Sequence, residues 1–188
     1  FKPLISISQS KCPDLQMIAP AFIFRKCSGR RTLRSPVRVQ KRSPIAAASP
    51  IDINLCKQLN ILLADLGVPD GQIIVDPTTG GLGYGLEYTY SVMERSRMAA
   101  LTQQDERLQF PLLCNLAREV WKVKEVKIPQ TEDPKLGDEK KRGILMEAVA
   151  ATSLLLAGAD LLVMRHPEAI AQIRTAIREL CSQPIAGR

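Results

Sequence analysis

From residue 49 onward, short apolar runs alternate with helix-length amphipathic stretches, and this alternation limits the possible folds more than any single motif does. Gln72-Ile-Ile-Val-Asp76, a run within Gln109 to Asn115, and Asp160-Leu-Leu-Val-Met-Arg165 read as three buried strands. Before the first of them, Ile51, Leu55, Leu59, Leu62 and Leu66 recur at helical spacing. Ser49-Pro50-Ile51-Asp52 supplies an N-cap hydroxyl at Ser49 and Pro at the first helical position, and Gly67 with Pro69 supplies the stop. Leu86 to Leu101 reads as a helix with Glu94, Arg95 and Arg97 toward solvent. Ile144 to Ala157 is apolar nearly all round, which implies burial, and Gly158 ends it. His166-Pro167 opens a last helix whose Ile170, Ile173, Ile177 and Leu180 form one stripe. Apolar strands alternating with such helices mean a parallel sheet of right-handed βαβ units. Three strands make too small a sheet for a doubly wound domain. The pattern is that of a piece of an open α/β fold or of an eight-stranded β/α barrel.

Charge divides the chain in two. The net charge of +7 suggests an acidic partner until it is located. Residues 1–48 hold ten Lys/Arg against the single acid Asp14, whereas residues 49–188 hold sixteen Lys/Arg and eighteen acids. In the head, Arg25 to Arg42 contains no acid and no helical period. It reads as a basic arm for nucleic acid, as an organelle-targeting segment, or as a disordered or non-native leader. The leader is the expectation for residues 1–48, because no aromatic residues interleave with the charges as they do in single-strand nucleic-acid binders. Nucleic acid is not an expected partner. Neither is a membrane, since no apolar run approaches the ~20 residues that span a bilayer.

The five cysteines, at positions 12, 27, 56, 114 and 181, include no C-x-x-C pair, so a zinc or iron–sulfur site is not indicated. Cys56, Cys114 and Cys181 fall on apolar stripes or in a strand and are expected to be reduced core thiols, as in a cytoplasmic protein.

In parallel α/β folds the ligand face lies at the carboxyl ends of the strands. The first strand leads into Asp76-Pro-Thr-Thr-Gly-Gly-Leu-Gly-Tyr-Gly85, with four glycines in ten residues. Asp76, Thr78, Thr79, Gly80, Gly81, Gly83, Tyr84 and Gly85 are therefore candidate contacts, either to a ligand or partner or within a tight structural turn. The loop lacks the Lys-Ser/Thr of a phosphate-binding Walker loop, and its glycines do not follow G-x-G-x-x-G. Asp76 can accept a hydrogen bond from a heterocycle or cap its own turn. Asn115 stands at the equivalent end of the second strand, and Arg165-His166 closes the third. His166 is the only histidine; it can cap the last helix, and no carboxylate near it in sequence supports a role as catalytic base. Lys122 to Arg142, with seven bases and five acids, is long enough to be a lid, an interface or a disordered loop.

Four motifs occur in order: Ser49-Pro-Ile-Asp-Ile-Asn-Leu-Cys-Lys-Gln-Leu-Asn, Asp76-Pro-Thr-Thr-Gly-Gly-Leu-Gly-Tyr-Gly-Leu-Glu-Tyr-Thr-Tyr-Ser-Val-Met-Glu-Arg, Arg142-Gly-Ile-Leu-Met-Glu-Ala-Val and Met164-Arg-His-Pro-Glu-Ala. From about Ser49 to Leu180 the chain thus resembles the small (delta) subunit of the corrinoid/iron–sulfur protein of the acetyl-CoA decarbonylase/synthase system. The resemblance implies an incomplete TIM (β/α)8 barrel at residues 49–188, keeping roughly the last three strands and four helices.

It also implies a cytoplasmic heterodimer with a large subunit that carries the corrinoid and the iron–sulfur cluster. A methyltransferase and acetyl-CoA synthase are then docking partners in the reductive acetyl-CoA (Wood–Ljungdahl) pathway of carbon fixation. By this likeness the chain binds no cofactor alone and is a non-catalytic subunit that supports a partner's corrinoid. Its contacts would come from the Gly-rich loop, Asn115, Arg165 and His166. The alternative is a pterin-dependent methyltransferase-like barrel enzyme, with Asp76 and Asn115 hydrogen-bonding the pterin. The likeness departs at Asn115-Leu-Ala-Arg, where the family has a Thr-Val-Gly-Tyr-like run, and residues 1–48 do not look like it.

Overall fold

The computed structural model describes residues 8–9, 16–18, 25–28, 45–48 and 52–182. The sequence-based expectations for Cys12, for Arg30 to Arg42 and for Ser49 to Ile51 lie outside the described residues. Five strands run parallel. β3 (Arg25–Ser28), β4 (Ile45–Ala48) and β5 (Ile73–Asp76) form one sheet in that order, and β6 (Leu113–Asn115) pairs with β7 (Leu161–Met164). A parallel bridge from Val75 to Leu112, with the Val75 N–H donating to Pro111 O at 2.8 Å, links β5 to β6. Along the other edge of β7, β2 (Gln16–Ile18) runs antiparallel and pairs in turn with β1 (Ser8–Gln9).

Each of the last four parallel strands is followed by helix: α1 (Ile53–Asp65), α2 (Leu86–Thr102), the series α3 (Leu116–Lys122), α4 (Lys124–Lys127) and α5 (Glu139–Leu156), then α6 (Pro167–Ser182). The parallel strands number two more than the expected three, and both extra ones lie on the amino-terminal side of the boundary placed at Ser49: β3 and, paired directly with β5, β4. Its Ile-Ala-Ala-Ala carries little of the β-branched signal that marks strands, yet Ile45, Ala46 and Ala47 are buried in register with Ile73, Ile74 and Val75.

Side chains alternate across the sheet. Ile45, Ala47, Ile73, Val75, Leu112, Cys114, Leu162 and Met164 join the large core shared with α1, α2, α5 and α6. Ala46, Ile74, Leu113, Leu161 and Val163 form a second, small cluster on the opposite face, to which only Ala117 of α3 adds among the described helices. The helices therefore cover one face of the sheet.

At the strands' amino ends, the Arg97 guanidinium of α2 donates to Gly158 O at 2.6 and 3.1 Å and pairs with Asp160. Asp160 also accepts the Leu112 N–H at 2.9 Å, so one ion pair ties α2, the end of α5 and two strands together.

Several expectations from the sequence are corrected. Helix α1 is capped by Asp52, which accepts the Asn54 N–H at 2.8 Å. The core face of α1 is Cys56, Asn60 and Leu63, while Leu55, Leu62 and Leu66 are exposed. Although α5 is apolar nearly all round, Leu145, Val149 and Leu156 face outward, and Leu180 of the α6 stripe is exposed too. The Lys122–Arg142 stretch is structured: Arg142 donates to the carbonyls of Ile128, Leu136 and Gly137, drawing the segment back onto the start of α5.

Cys56 and Cys114 are buried as expected, whereas Cys181 is exposed. Burial, with the nearby Asp76 charge adding to it, pushes the Cys114 thiol up to about 12. Thiol alkylation at pH 8 followed by peptide mapping is expected to label Cys181 within minutes and Cys114 only on unfolding. The raised pKa also has a linkage consequence. The unfolded thiol ionises from about pH 8.5 while the folded one stays neutral. Its contribution to stability is therefore complete below that pH and is lost as pH rises toward 12.

Candidate functional site

The loops leaving β5, β6 and β7 meet at the carboxyl end of the sheet. The β5 loop is fixed from within. Asp76, only 6% exposed, accepts the Thr78 N–H at 3.0 Å, so its carboxylate caps its own turn. Thr89 of α2, fully buried, accepts the Gly80 N–H at 2.9 Å and directs its hydroxyl to Thr78 O at 3.1 Å. Thr78 takes a left-handed φ of 61°, which costs a β-branched residue roughly 1–3 kcal/mol. Buried Thr79 accepts the Asn115 N–H at 2.9 Å and thereby holds the end of β6 to the β5 loop.

At Gly80 the loop folds onto itself. A Cβ there would stand 2.4 Å from both C and O of Gly85 and 2.8 Å from Leu86 N, so only glycine fits. Gly85 caps α2 at φ 103°, a left-handed angle again suited to glycine.

Three members of the loop are exposed, Thr78, Gly83 and Tyr84. The Tyr84 hydroxyl donates to Glu125 of α4 at 3.1 Å. That hydrogen bond, with slight desolvation and the carboxylate's charge, holds the phenol above its ordinary range. Gly81, buried, lies against Val123 and the Glu119 carbonyl.

Asn115 keeps a side-chain Oδ1 that is buried without a partner. At β7, Arg165 and His166 are organised by two residues that sequence reasoning did not single out, Glu147 and Trp121. Glu147, from the middle of α5, is fully buried, and its carboxylate accepts the N–H groups of Arg165 and His166 and the indole N–H of Trp121 at 3.0 Å. The signal in the sequence was a lone acid on an apolar helix face; its acceptor role needs the tertiary fold.

His166 stacks on Trp121 with ring centroids 6.0 Å apart, and the exposed Arg165 guanidinium sits 5.2 Å from the same indole's centroid. The imidazole Nδ1 accepts the Glu168 N–H at 3.2 Å, so His166 caps α6, the first of the two roles open to it. The Gly-rich loop, Asn115 and Arg165-His166 thus share one end of the sheet. Asp76, Thr79 and Gly80 hold it from inside, while Tyr84 and Arg165 are presented to solvent.

The carboxylates here are engaged by hydrogen-bond donors, which suits preorganisation of the loops. Among the described residues no group of three or more His, Cys, Asp or Glu could hold a metal ion, and no helix is long and apolar enough to cross a membrane.

A family model described as the CO dehydrogenase/acetyl-CoA synthase delta subunit matches residues 35–177. The acetyl-CoA decarbonylase/synthase complex subunit delta 2 of Methanosarcina acetivorans is 42% identical over 136 residues, which are 69% of this chain and 30% of that protein. The delta subunit of Methanopyrus kandleri is 40% identical over 74% of this chain and 34% of its own length. That of Archaeoglobus fulgidus is 39% identical over 73% of this chain and 31% of its own. The chain spans about a third of the length of the curated relatives it matches. The family match begins at residue 35, ahead of β4, so the family's resemblance extends into the segment set apart as a leader.

Proposed function

The chain belongs to the CO dehydrogenase/acetyl-CoA synthase delta subunit family, and on that premise we propose that it is a non-catalytic docking subunit. In this reading it presents the carboxyl end of its sheet to a corrinoid-bearing large subunit during methyl transfer from a methyl-pterin to acetyl-CoA synthase. The observation that carries the reading is the shared strand end itself. Three loops are locked from beneath by Thr79, Thr89 and Glu147, and the side chains left facing outward are suited to contact, not to acid–base chemistry.

The one-sided helix layer supports a section of a (β/α)8 barrel, because a doubly wound sheet carries helices on both faces. The small cluster around Ile74, Leu113 and Val163 then corresponds to the barrel lumen. A corrinoid held by the partner would supply a cobalt centre able to accept and donate a methyl group. The residues present fit the edge of a broad, flat group. Gly81 and Gly85 keep the loop low, the Asn115 Oδ1 lacks a partner, and Tyr84 and Arg165 are exposed at the same end of the sheet. The cytoplasm is the compartment that this role requires.

Arg165→Ala and Tyr84→Ala are each expected to weaken binding of the recombinant corrinoid-bearing large subunit about tenfold or more, read by titration calorimetry. The melting temperature should not change, because both side chains are exposed. Unchanged affinity in both variants would remove this face from the interface. Tight binding of methyl-tetrahydropterin by the chain alone would instead favour a methyltransferase-like barrel.

A further inference from the structure

Helix α1 carries more apolar surface than the fold uses. On a helical projection its sheet side is Cys56, Asn60 and Leu63, all buried. One lateral flank, with Ile53 and Lys57, borders the groove shared with Arg95, Met98 and Thr102 of α2. The opposite flank is a stripe of Leu55, Leu59, Leu62 and Leu66, spaced four, three and four residues apart. Three of these are exposed by 45%, 54% and 58%. Gln58 and Asp65 rim the stripe on its solvent side.

The strand order fixes what lies under that flank. β3, β4 and β5 are parallel neighbours, α1 follows β4 and α2 follows β5. Right-handed crossovers lay successive helices side by side in strand order. The free flank of α1 therefore faces the place of the helix that precedes it in the series. In this chain's sequence the stretch between β3 and β4 includes Arg30, Arg31, Arg34, Pro36, Arg38, Lys41 and Arg42. Such a sequence offers no apolar face to match four leucines.

We infer that the Leu55–Leu59–Leu62–Leu66 flank docks an amphipathic helix from the part of the family fold that lies outside the match to this chain. About two thirds of the length of the relatives lies outside the match, ample for such a helix. This rests on the barrel reading above and adds to it the surface, the residues and the kind of partner. The apolar side of the incoming helix covers the stripe, and its basic or amide side chains meet Asp65 and Gln58 at the rim.

The test mixes the full chain with a recombinant portion of the Methanosarcina acetivorans delta subunit, the part outside its match to this chain. A one-to-one complex is expected by light scattering after size exclusion. The triple variant Leu55→Asp/Leu62→Asp/Leu66→Asp should lower its affinity about a hundredfold, with Leu59 left in place because it packs on the core. Leu62→Glu alone, at the centre of the stripe, should give a smaller loss in the same direction. It serves where the triple variant alters the circular dichroism. The control Leu145→Asp/Leu156→Asp, equally exposed on the outer face of α5, should leave affinity within about threefold. A complex that forms but is indifferent to the α1 variants overturns the inference and leaves the barrel reading standing. Absence of any complex with the wild-type chain removes both. Self-association through α1 without a mixed complex also overturns it, in favour of a second copy as the occupant.

Discussion

Replacing Glu147 by Ala is expected to destabilise the chain by about 3–5 kcal/mol and to lower its melting temperature by roughly 10 °C. The carboxylate sits at zero exposure and is the common acceptor for two backbone N–H groups and the Trp121 indole. Truncation takes the acceptor from three partly buried donors, at up to about 1–3 kcal/mol each where water does not replace it. It also opens a cavity beneath the β7 loop. Glu147→Gln keeps one acceptor oxygen and should lose only about 1–2 kcal/mol. Chemical denaturation with unchanged slope measures both. If the Ala variant unfolds at the wild-type midpoint, Glu147 does not hold the end of β7, and the positioning of Arg165 and His166 needs another explanation.

Gly80→Ala should cost about 2–3 kcal/mol, because the new methyl would lie 2.4 Å from backbone atoms of Gly85 and not from a movable side chain. The loop must open, which pulls Gly80 N–H from Thr89 and shifts the start of α2. Binding of the large subunit should fall with it, since Tyr84 rides on the same loop. Gly83→Ala is the informative comparison. Its φ of 75° disfavours a side chain, but nothing lies within 4 Å, so only about 1 kcal/mol is expected from backbone strain. Equal losses at the two positions would show that the crossing at Gly80 is not what fixes the loop.

Much of this was legible before the structure. Strand β5, helices α2, α5 and α6 and the turn between Asp76 and Gly85 follow from apolar period and glycine placement, which are local properties. What was not legible depends on neighbours. Strand β4 is Ile-Ala-Ala-Ala, and its strand identity comes from pairing with β5, not from propensity. The α1 period correctly marks a helix, but period alone does not say which of two apolar stripes meets the sheet. Here Cys56, Asn60 and Leu63 do, and the leucines do not. At the strand ends, sequence reasoning singled out Asp76, Thr79, Asn115 and His166, but not the bonds that place them nor the partners Thr89 and Glu147. Thr79 reaches Asn115 across 36 positions, Thr89 comes back from α2, and Glu147 meets the β7 loop from α5. Such contacts follow from packing and leave no spacing in the chain.

Trp121 is the chain's only tryptophan, and it lies between the His166 imidazole, the Arg165 guanidinium and the Glu147 carboxylate. The chain therefore carries one indole fluorophore, located where the β7 loop meets α3. Its emission reports on that junction alone, without a background from other indoles. Ring stacking, guanidinium contact and the indole N–H bond each influence the same signal, so a change in any of them becomes an optical event in the unlabelled protein.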